Sequence, residues 1–168
     1  MSRPLSLIVA ASLFCTTAIA PALAATGALM GPGNAARGTV TVEAAPKGVI
    51  VKVDATGLTP GWHGIHFHAV GDCSDVGTFE RSKGHVNHED KQHGLLNPDG
   101  PHEGDPPNIY ASADGSANVE VSADIPLTGS EGLMDANGAA LIIHASEDDH
   151  VSQPIGNAGA RVACAVIK

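Results

Sequence analysis

The chain has 168 residues, of which 43% are hydrophobic, and its 18 acidic and 9 basic side chains give a formal net charge of −9. One domain with a hydrophobic core fits this length and composition, whereas wholesale disorder does not. The negative charge and the few aromatic residues (three Phe, one Trp and one Tyr) exclude a nucleic-acid-binding surface, which needs basic side chains and stacking platforms. Nine histidines, as many as lysine and arginine together, remain to be explained.

Residues 1–24 have the pattern of a secretory signal peptide. Arg3 precedes an apolar run from Leu5 to Ala20, and the segment 22–24 is a small-x-small cleavage site. A transmembrane anchor is the competing interpretation, but polar residues interrupt the run and Pro21 follows it. We predict cleavage after Ala24, export to the periplasm or the medium, no membrane span after cleavage, and one domain over residues 25–168.

The remainder of the chain favours short β-strands over helices. Strand patterns cover residues 39–42, 49–53, 118–121, 139–144 and 160–167, and no window has a sustained helical period. Short strands between Gly, Pro, Asn and Asp turns predict an antiparallel sandwich or barrel. Residues 71–113 and 145–159 are polar, rich in Gly and Pro, and too long for simple connections, which is typical of functional loops.

Removal of residues 1–24 leaves two cysteines, Cys73 and Cys164. In an exported chain a disulfide is favoured over two separately buried thiols. Such a bond would close a loop of about 90 residues, and chain-entropy arguments give it a stabilisation of about 4–5 kcal/mol.

All nine histidines lie between positions 63 and 150. A strand through residues 63–68 would place His66 and His68 on one exposed face, because they are two residues apart, and Ile65 and Phe67 toward the core. His63 would lie on the opposite side as a hydrogen-bonded structural residue.

The first long loop adds further ligand-type side chains. They are His85, His88, His93, His102 and Asp105. His144 ends an apolar strand and can meet the same face. A lone histidine is most often a satisfied or solvated side chain, but this grouping favours a metal site. Imidazole nitrogens with a carboxylate suit Zn²⁺, and an imidazole-rich site without thiolates also fits Cu²⁺. The residues alone thus predict one or two histidine-based metal sites, without identifying the metals or indicating catalysis.

An ordered series of motifs spans most of the predicted mature chain. The motifs are Gly61-Trp-His-Gly-Ile-His-Phe-His68, Gly71-Asp-Cys73, Lys83-Gly-His85, Gln92-His-Gly94, His102-Glu-Gly-Asp105, Ile143-His144 and Gly156-Asn-Ala-Gly-Ala-Arg-Val-Ala-Cys164. With them the chain resembles the copper/zinc superoxide dismutases of the bacterial exported type, from about residue 26 to its C-terminus. The resemblance implies an all-β fold, a Greek-key antiparallel β-barrel or sandwich of about eight strands with two long functional loops.

The resemblance also implies the site residues. The copper ligands would be His66, His68, His85 and His144. The zinc ligands would be His85, His93, His102 and Asp105, so that His85 bridges one copper and one zinc ion per subunit. Asp148 would hydrogen-bond His66 and His93, Arg161 would dock the anion, and Cys73–Cys164 would be the disulfide. The implied activity is disproportionation of superoxide to oxygen and hydrogen peroxide as an antioxidant defence outside the cytoplasm, with His85 supplying a proton. A homodimer is also in keeping with the family.

Three positions need separate comment. His88 replaces a proline that is common in the family, and we expect both His88 and His150 to be solvated. Ile155 stands at the channel rim, where many relatives have a small hydroxyl residue. The rival functions are a non-catalytic periplasmic copper or zinc buffer or chaperone on the same fold and, less well supported, an adhesion sandwich. Retention of every copper ligand and of Arg161 favours the enzyme.

Overall fold

The computed structural model describes residues 22–168, so most of the predicted signal peptide lies outside the described residues. Within that range the chain forms nine strands: β1 (Ala24–Gly31), β2 (Ala35–Ala45), β3 (Gly48–Ala55), β4 (Gly61–His63), β5 (Ile65–His68), β6 (Ile109–Ala111), β7 (Ala117–Ala123), β8 (Ala139–His144) and β9 (Arg161–Ile167). The helical content of this part is two short 3₁₀ turns, at Pro32–Asn34 and Glu80–Ser82. None of the helices described is long and apolar enough to cross a membrane.

The strands form one large and one small antiparallel sheet. Seven strands pair in the order β5-β8-β9-β1-β2-β3-β7, and β4 pairs with β6. The small pair connects the two edges of the large sheet, because β4 is separated from β5 by one residue and β6 packs beside β7. The predicted all-β, antiparallel, Greek-key type of fold is therefore confirmed.

Two strands were not predicted from the sequence pattern. β1 is built mostly from small residues, yet its burial alternates along the strand, with Ala25 and Leu29 facing the core. β6 is three residues long and lies inside the segment 71–113, which we expected to be loop throughout. Cleavage after Ala24 would remove only the first residue of β1, and the position of this cleavage stays a prediction.

The two-residue period of β5 and β8 separates the core from the site. The inward residues of both strands are fully buried in the main hydrophobic core: Ile65, Phe67, Leu141 and Ile143. His66, His68 and His144 have the opposite parity and lie on the outer face of the sheet, as predicted for the first two. The prediction that this face is exposed was wrong, because all three imidazoles are completely buried. The two long loops cover the face and bury these imidazoles.

A disulfide fastens the first long loop to the sheet. Cys73 and Cys164 are bonded and lie 91 positions apart in sequence. Beside the bond, Phe79 packs on Ala140 and Ile142 in a second, smaller apolar cluster on the outer face of β8 and β9. The loop is thereby held by a covalent bond and by buried apolar area, both next to the histidines.

Candidate metal centre

Four imidazoles that we predicted as copper ligands come together on the outer face of the sheet. His66 and His68 come from β5, His144 comes from the end of β8, and His85 comes from the first long loop. One ring nitrogen of each lies within 4.8 Å of those of the other three. His85 reaches the group because its backbone bridges to His68 as a further, isolated strand pair.

Each of these imidazoles is oriented by an oxygen atom at its other ring nitrogen. The pairs are His66 Nε2 with Asp148 Oδ2 at 2.8 Å, His68 Nδ1 with the Lys83 carbonyl at 2.7 Å, His85 Nδ1 with Asp105 Oδ1 at 2.8 Å, and His144 Nδ1 with the Gly159 carbonyl at 3.0 Å. A carbonyl or carboxylate oxygen accepts only, so the nitrogen facing it carries the N–H. The tautomer of each ring is thereby set, and the opposite nitrogen presents a lone pair.

Those four opposite nitrogens have no hydrogen-bond partner among the described residues. They are His66 Nδ1, His68 Nε2, His85 Nε2 and His144 Nε2, and all of them are buried. An unsatisfied buried polar atom is costly, and four convergent lone pairs are costlier still unless a cation satisfies them. Burial lowers the pKa of His66 to about 3 and that of His144 to about 4, so at neutral pH both rings are neutral and able to bind a metal ion. The donor set therefore fits a copper ion.

The predicted zinc residues lie immediately beside this group. His85, His93 and Asp105, together with His66, form a second set of ligand atoms within 4.8 Å of one another. The predicted fourth ligand, His102, is at the outer edge of this set. Its Nδ1 is 3.2 Å from His85 Nδ1 and 3.5 Å from Asp105 Oδ1. Three imidazoles and one carboxylate are a suitable donor set for Zn²⁺.

Asp105 carries the negative charge of this second set. The backbone N–H groups of Gly94 and His102 donate to its Oδ2 at 3.0 and 3.1 Å. Burial alone would raise its pKa, but hydrogen bonds from the neighbouring histidines hold the pKa of this carboxyl well below its usual range. Burial likewise opposes charge on His93, yet Asp105 and Asp148 raise the pKa of His93 to about 9. The pocket thus favours a positive charge, which in the metal-free chain is a proton on His93.

One carboxylate connects the two sets of ligands. Asp148 Oδ2 accepts from His66 at 2.8 Å, and its Oδ1 accepts from His93 Nε2 at 3.1 Å and from the backbone N–H of His150 at 2.6 Å. Asn108 holds the backbone of this residue at two points, since its Nδ2 donates to the Asp148 carbonyl at 2.8 Å and its Oδ1 accepts from the Asp148 N–H at 2.9 Å. We did not predict a role for Asn108, because nothing in its local sequence indicates this contact.

His150 does not behave as expected. Its predicted solvation is wrong, because only 18% of the side chain is exposed. Its Nε2 lies 3.1 Å from Asn108 Nδ2, and its Nδ1 lies 3.5 Å from Asp148 Oδ2. The ring therefore packs against the residues that position the shared carboxylate.

The other two histidines outside the ligand sets match the predictions more closely. His63 is a buried structural residue whose two ring nitrogens lie 2.6 Å from the His144 carbonyl and 2.7 Å from the Thr59 carbonyl. His88 is exposed, and its backbone N–H donates to Glu103 Oε2 at 2.9 Å.

A funnel of about 670 Å³ leads from solvent to His68 and His85, and Ile155 lies on its wall. Arg161 lines the same funnel, and its guanidinium is fixed by the loop that the disulfide anchors. Nη1 donates to the Phe79 carbonyl at 2.7 Å and to Ser82 Oγ at 3.0 Å, and Nη2 donates to the Lys83 carbonyl at 2.9 Å. A pre-oriented guanidinium beside the imidazole cluster is suited to hold a small anion.

Comparisons with known proteins agree with this geometry. The profile of the copper/zinc superoxide dismutase (SODC) family matches residues 36–167. Superoxide dismutase [Cu-Zn] of Caulobacter vibrioides is 52% identical over 136 residues, which cover 78% of each chain. Superoxide dismutase [Cu-Zn] 2 of Aquifex aeolicus is 46% identical over 72% of each chain.

Solved structures show the same likeness. A double mutant of a SOD-like protein from Bacillus subtilis superposes with a TM-score of 0.81 at 36% identity, over 84% of this chain and 95% of that one. Cu/Zn superoxide dismutase from Brucella abortus superposes with a TM-score of 0.71 at 30% identity, over 87% of this chain and all of that one. The chain belongs to the copper/zinc superoxide dismutase family.

Proposed function

We propose that this protein disproportionates superoxide, with copper held by His66, His68, His85 and His144 and zinc held by His85, His93, His102 and Asp105. The observation that carries the proposal is the set of four buried, unpartnered imidazole nitrogens that converge next to the guanidinium of Arg161. Family membership supports the same activity, since the Caulobacter vibrioides and Aquifex aeolicus relatives bear the name Superoxide dismutase [Cu-Zn].

The bound metals supply the redox chemistry, because copper can alternate between Cu²⁺ and Cu⁺ while zinc stays Zn²⁺ and fixes His85. Overall, two superoxide ions and two protons become one oxygen and one hydrogen peroxide. The chain has to bind the anion, deliver protons and keep the ligands in place.

Arg161 binds and orients the anion. Its guanidinium offers charge-assisted hydrogen bonds, and the contacts with the segment 79–83 fix its orientation before substrate arrives. His85 moves a proton at Nε2, the buried nitrogen that has no other partner in the described structure. The Nδ1 of the same ring lies 2.8 Å from Asp105 Oδ1, on the side where zinc would be held, and so this side of the imidazole would be anchored while the other can gain and lose a proton.

Asp148 keeps the two metal sites in a fixed mutual geometry. One of its oxygens orients the copper ligand His66 and the other orients the zinc ligand His93. A carboxylate that hydrogen-bonds a ligating imidazole also makes that imidazole a better donor. Loss of the first hydrogen bond would affect copper and loss of the second would affect zinc, so removal of the carboxylate would affect both metals.

Export and assembly belong to the same proposal. Cleavage after Ala24 would deliver the chain to the periplasm or the medium, where the disulfide between Cys73 and Cys164 is stable. N-terminal sequencing of the exported protein tests the cleavage. Sedimentation of the purified protein tests the homodimer, which stays a prediction.

A direct experiment separates the enzyme from a metal buffer on the same fold. Purified protein is loaded with copper and zinc, its metal content is measured, and superoxide disproportionation is followed before and after chelation. We expect activity that follows the copper content. The His144→Ala variant should lose activity while zinc stays bound, because His144 belongs only to the copper set. A loaded but inactive wild-type protein would contradict the enzyme and favour the buffer function, and full activity of the variant would overturn the copper assignment.

A further inference from the structure

His88 and Glu103 form a pair of metal-ligand side chains outside both proposed metal sites. His88 Nδ1 lies 3.6 Å from Glu103 Oε1. This separation is too long for a hydrogen bond. It is close to the distance of about 3.4 Å between a nitrogen and an oxygen that bind the same tetrahedral Zn²⁺, because each bond to the ion is about 2.0–2.1 Å long. The two atoms are therefore spaced to share a zinc ion, with water completing its coordination.

A backbone hydrogen bond holds the two side chains in this arrangement. The N–H of His88 donates to Glu103 Oε2 at 2.9 Å, which leaves Oε1 toward the imidazole. In the described part of the chain no lysine or arginine nitrogen lies within 4 Å of this carboxylate, and the nearby Lys91 pairs with Glu89. The negative charge of Glu103 is thus available to an incoming cation.

A cavity of about 360 Å³ connects Glu103 with the proposed zinc ligands. Glu103, His102 and Asp105 line it, and the exposed Asp124 adds a further carboxylate to its wall. His102 is the most exposed of the four zinc ligands, with 12% of its side chain accessible against 1% or less for the other three. An ion held by His88 and Glu103 would therefore reach His102 first, because His102 directly precedes Glu103 in the chain.

The funnel that contains Arg161 is the alternative way in, because it also reaches His102. A cation on that path would pass a guanidinium, which repels it. On the path beside Glu103 it would pass carboxylates, which raise the local concentration of cations. The charges therefore favour the cavity beside Glu103 as the entrance for zinc.

We propose that His88 and Glu103 form an outer zinc site, which captures Zn²⁺ from solvent and passes it to the buried site through His102. The inference rests on the zinc ligands of the proposed function and goes beyond them, because it concerns how the metal arrives. Water on the ion is exchanged for the two outer side chains, which are then exchanged for the buried ligands. The outer pair thus acts on the rate of metal uptake, whereas the buried ligands set the final affinity.

The kinetic test follows zinc uptake by the chelated protein, with its disulfide intact, in stopped-flow competition with a chromophoric zinc indicator. It compares the wild type with His88→Gln, Glu103→Gln and the double variant. Glutamine at position 103 keeps an oxygen for the His88 N–H but loses the charge. We expect the association rate constant to fall roughly three- to tenfold in each single variant and no further in the double variant, because the two residues act as one site. Zinc affinity should be unchanged, so the dissociation rate constant should fall by the same factor.

Asp54→Asn is the matched control. It also removes one carboxylate charge, from an exposed residue on β3 that lies outside this cavity, and it should take up zinc like the wild type. Equal association rate constants in the wild type, His88→Gln and Glu103→Gln would overturn the outer site. A fall in Asp54→Asn as large as that in Glu103→Gln would also overturn it, because net charge alone would then explain the effect.

A second measurement detects the outer site at equilibrium. Protein that holds zinc and reduced, diamagnetic copper is titrated with further Zn²⁺, and NMR follows its imidazole signals. The signals of His88 should shift in the wild type and stay in place in Glu103→Gln, and an unchanged His88 in the wild type would overturn the outer site. Neither measurement involves superoxide. An inactive loaded wild type whose zinc uptake depends on His88 would overturn the proposed activity and support this inference, whereas an active one whose uptake does not would overturn this inference alone.

Discussion

Arg161 shows how a single residue depends on its surroundings for its effect. The Arg161 side chain is only 14% exposed, and its guanidinium makes three hydrogen bonds to the segment 79–83, so little side-chain entropy is lost when an anion binds. A flexible surface arginine with the same charge would contribute less. The alternation of ligand and core residues along β5 could be predicted from the sequence, but the immobilisation of the Arg161 guanidinium could not.

Replacement of this side chain tests its role. We expect Arg161→Ala to retain both metals and to lower the catalytic rate constant roughly 10- to 100-fold, the equivalent of one or two charge-assisted hydrogen bonds. Stopped-flow kinetics at low ionic strength with parallel metal analysis measures both quantities. Unchanged kinetics with full metal content would contradict the docking role.

The buried imidazoles make the metal-free chain sensitive to pH. Burial lowers the pKa of His66 to about 3 and that of His144 to about 4, below the value of about 6.5 expected in the unfolded chain. As the pH falls through this range, the unfolded chain takes up protons that the folded chain does not, and the free energy of unfolding decreases. His93 has the opposite sign, because its pKa is raised to about 9 and its contribution is lost as the pH rises from about 6.5 through 9.

We therefore expect the urea midpoint of the chelated protein to be greatest near pH 6.5–7 and to fall on both sides. Urea unfolding between pH 4 and pH 9 measures this dependence. The copper- and zinc-loaded protein is the control, and it should vary less over the upper half of the range because a metal replaces the proton on His93. A midpoint of the chelated protein that is constant from pH 7 to pH 5 would contradict the role of the buried rings.

The strands that contain large apolar side chains could be predicted from the sequence, whereas β1 and β6 could not. β5 and β8 have the alternation of large side chains that sets their faces. β1 consists mainly of alanine and glycine, so its residue types do not alternate between apolar and polar although its buried and exposed positions do. β6 is recognisable only through its pairing with β4, which no local pattern contains. The loops were predicted as functional, but their contacts through Asn108 and the Lys83 carbonyl depend on long-range packing.

At Gly156 the second long loop folds back against its own residue Asp148 and against His93. Its φ is +60°, and a Cβ there would clash with the carboxylate of Asp148 and lie 2.9 Å from His93 Nε2. The loop can pass this near to the shared carboxylate only if the position has no side chain. From the sequence alone, Gly156 was recognised as part of a motif, but the steric requirement for glycine at this position was not.

We expect Gly156→Ala to displace Asp148 and to weaken zinc binding roughly 10- to 100-fold, the usual effect of losing a hydrogen bond to a ligating imidazole. Competition with a chromophoric chelator measures the affinity. Gly33→Ala is a matched control, because Gly33 has a φ of +67° and no atom within 4 Å of the added Cβ. Equal zinc affinity in the two variants would contradict a specific effect of the contact with Asp148.

At the scale of the whole molecule, charge and the disulfide act in different ways. The formal charge of −9 argues against nucleic acid, but it does not give the sign of the substrate, because a funnel lined by Arg161 and Lys83 has a local field of its own. The disulfide closes a long loop and so mainly restricts the unfolded chain. The two cysteines that form the disulfide could be predicted from the sequence, whereas the contact of the bond with the apolar cluster around Phe79 could not.

Reduction of the disulfide should destabilise the protein by about 4–5 kcal/mol, which corresponds to a fall in melting temperature of roughly 15 °C for a domain of this size. Calorimetry with and without reductant measures the shift, and mass spectrometry confirms the bond. A Cys73→Ser variant should melt at the temperature of the reduced wild type and should not respond to reductant. An identical melting temperature for oxidised and reduced wild type would contradict a stabilising bond.

An error in the register of β5 would disrupt the hydrophobic core and the metal site together. Its imidazoles and its core side chains differ only in parity, so a slip of one residue against β8 would turn the imidazoles inward and expose Ile65 and Phe67. Such a chain would lose its packing and its metal ligands in the same event. Misregistered molecules would therefore be exposed to quality control as unfolded protein, and a stable but inactive population would not accumulate.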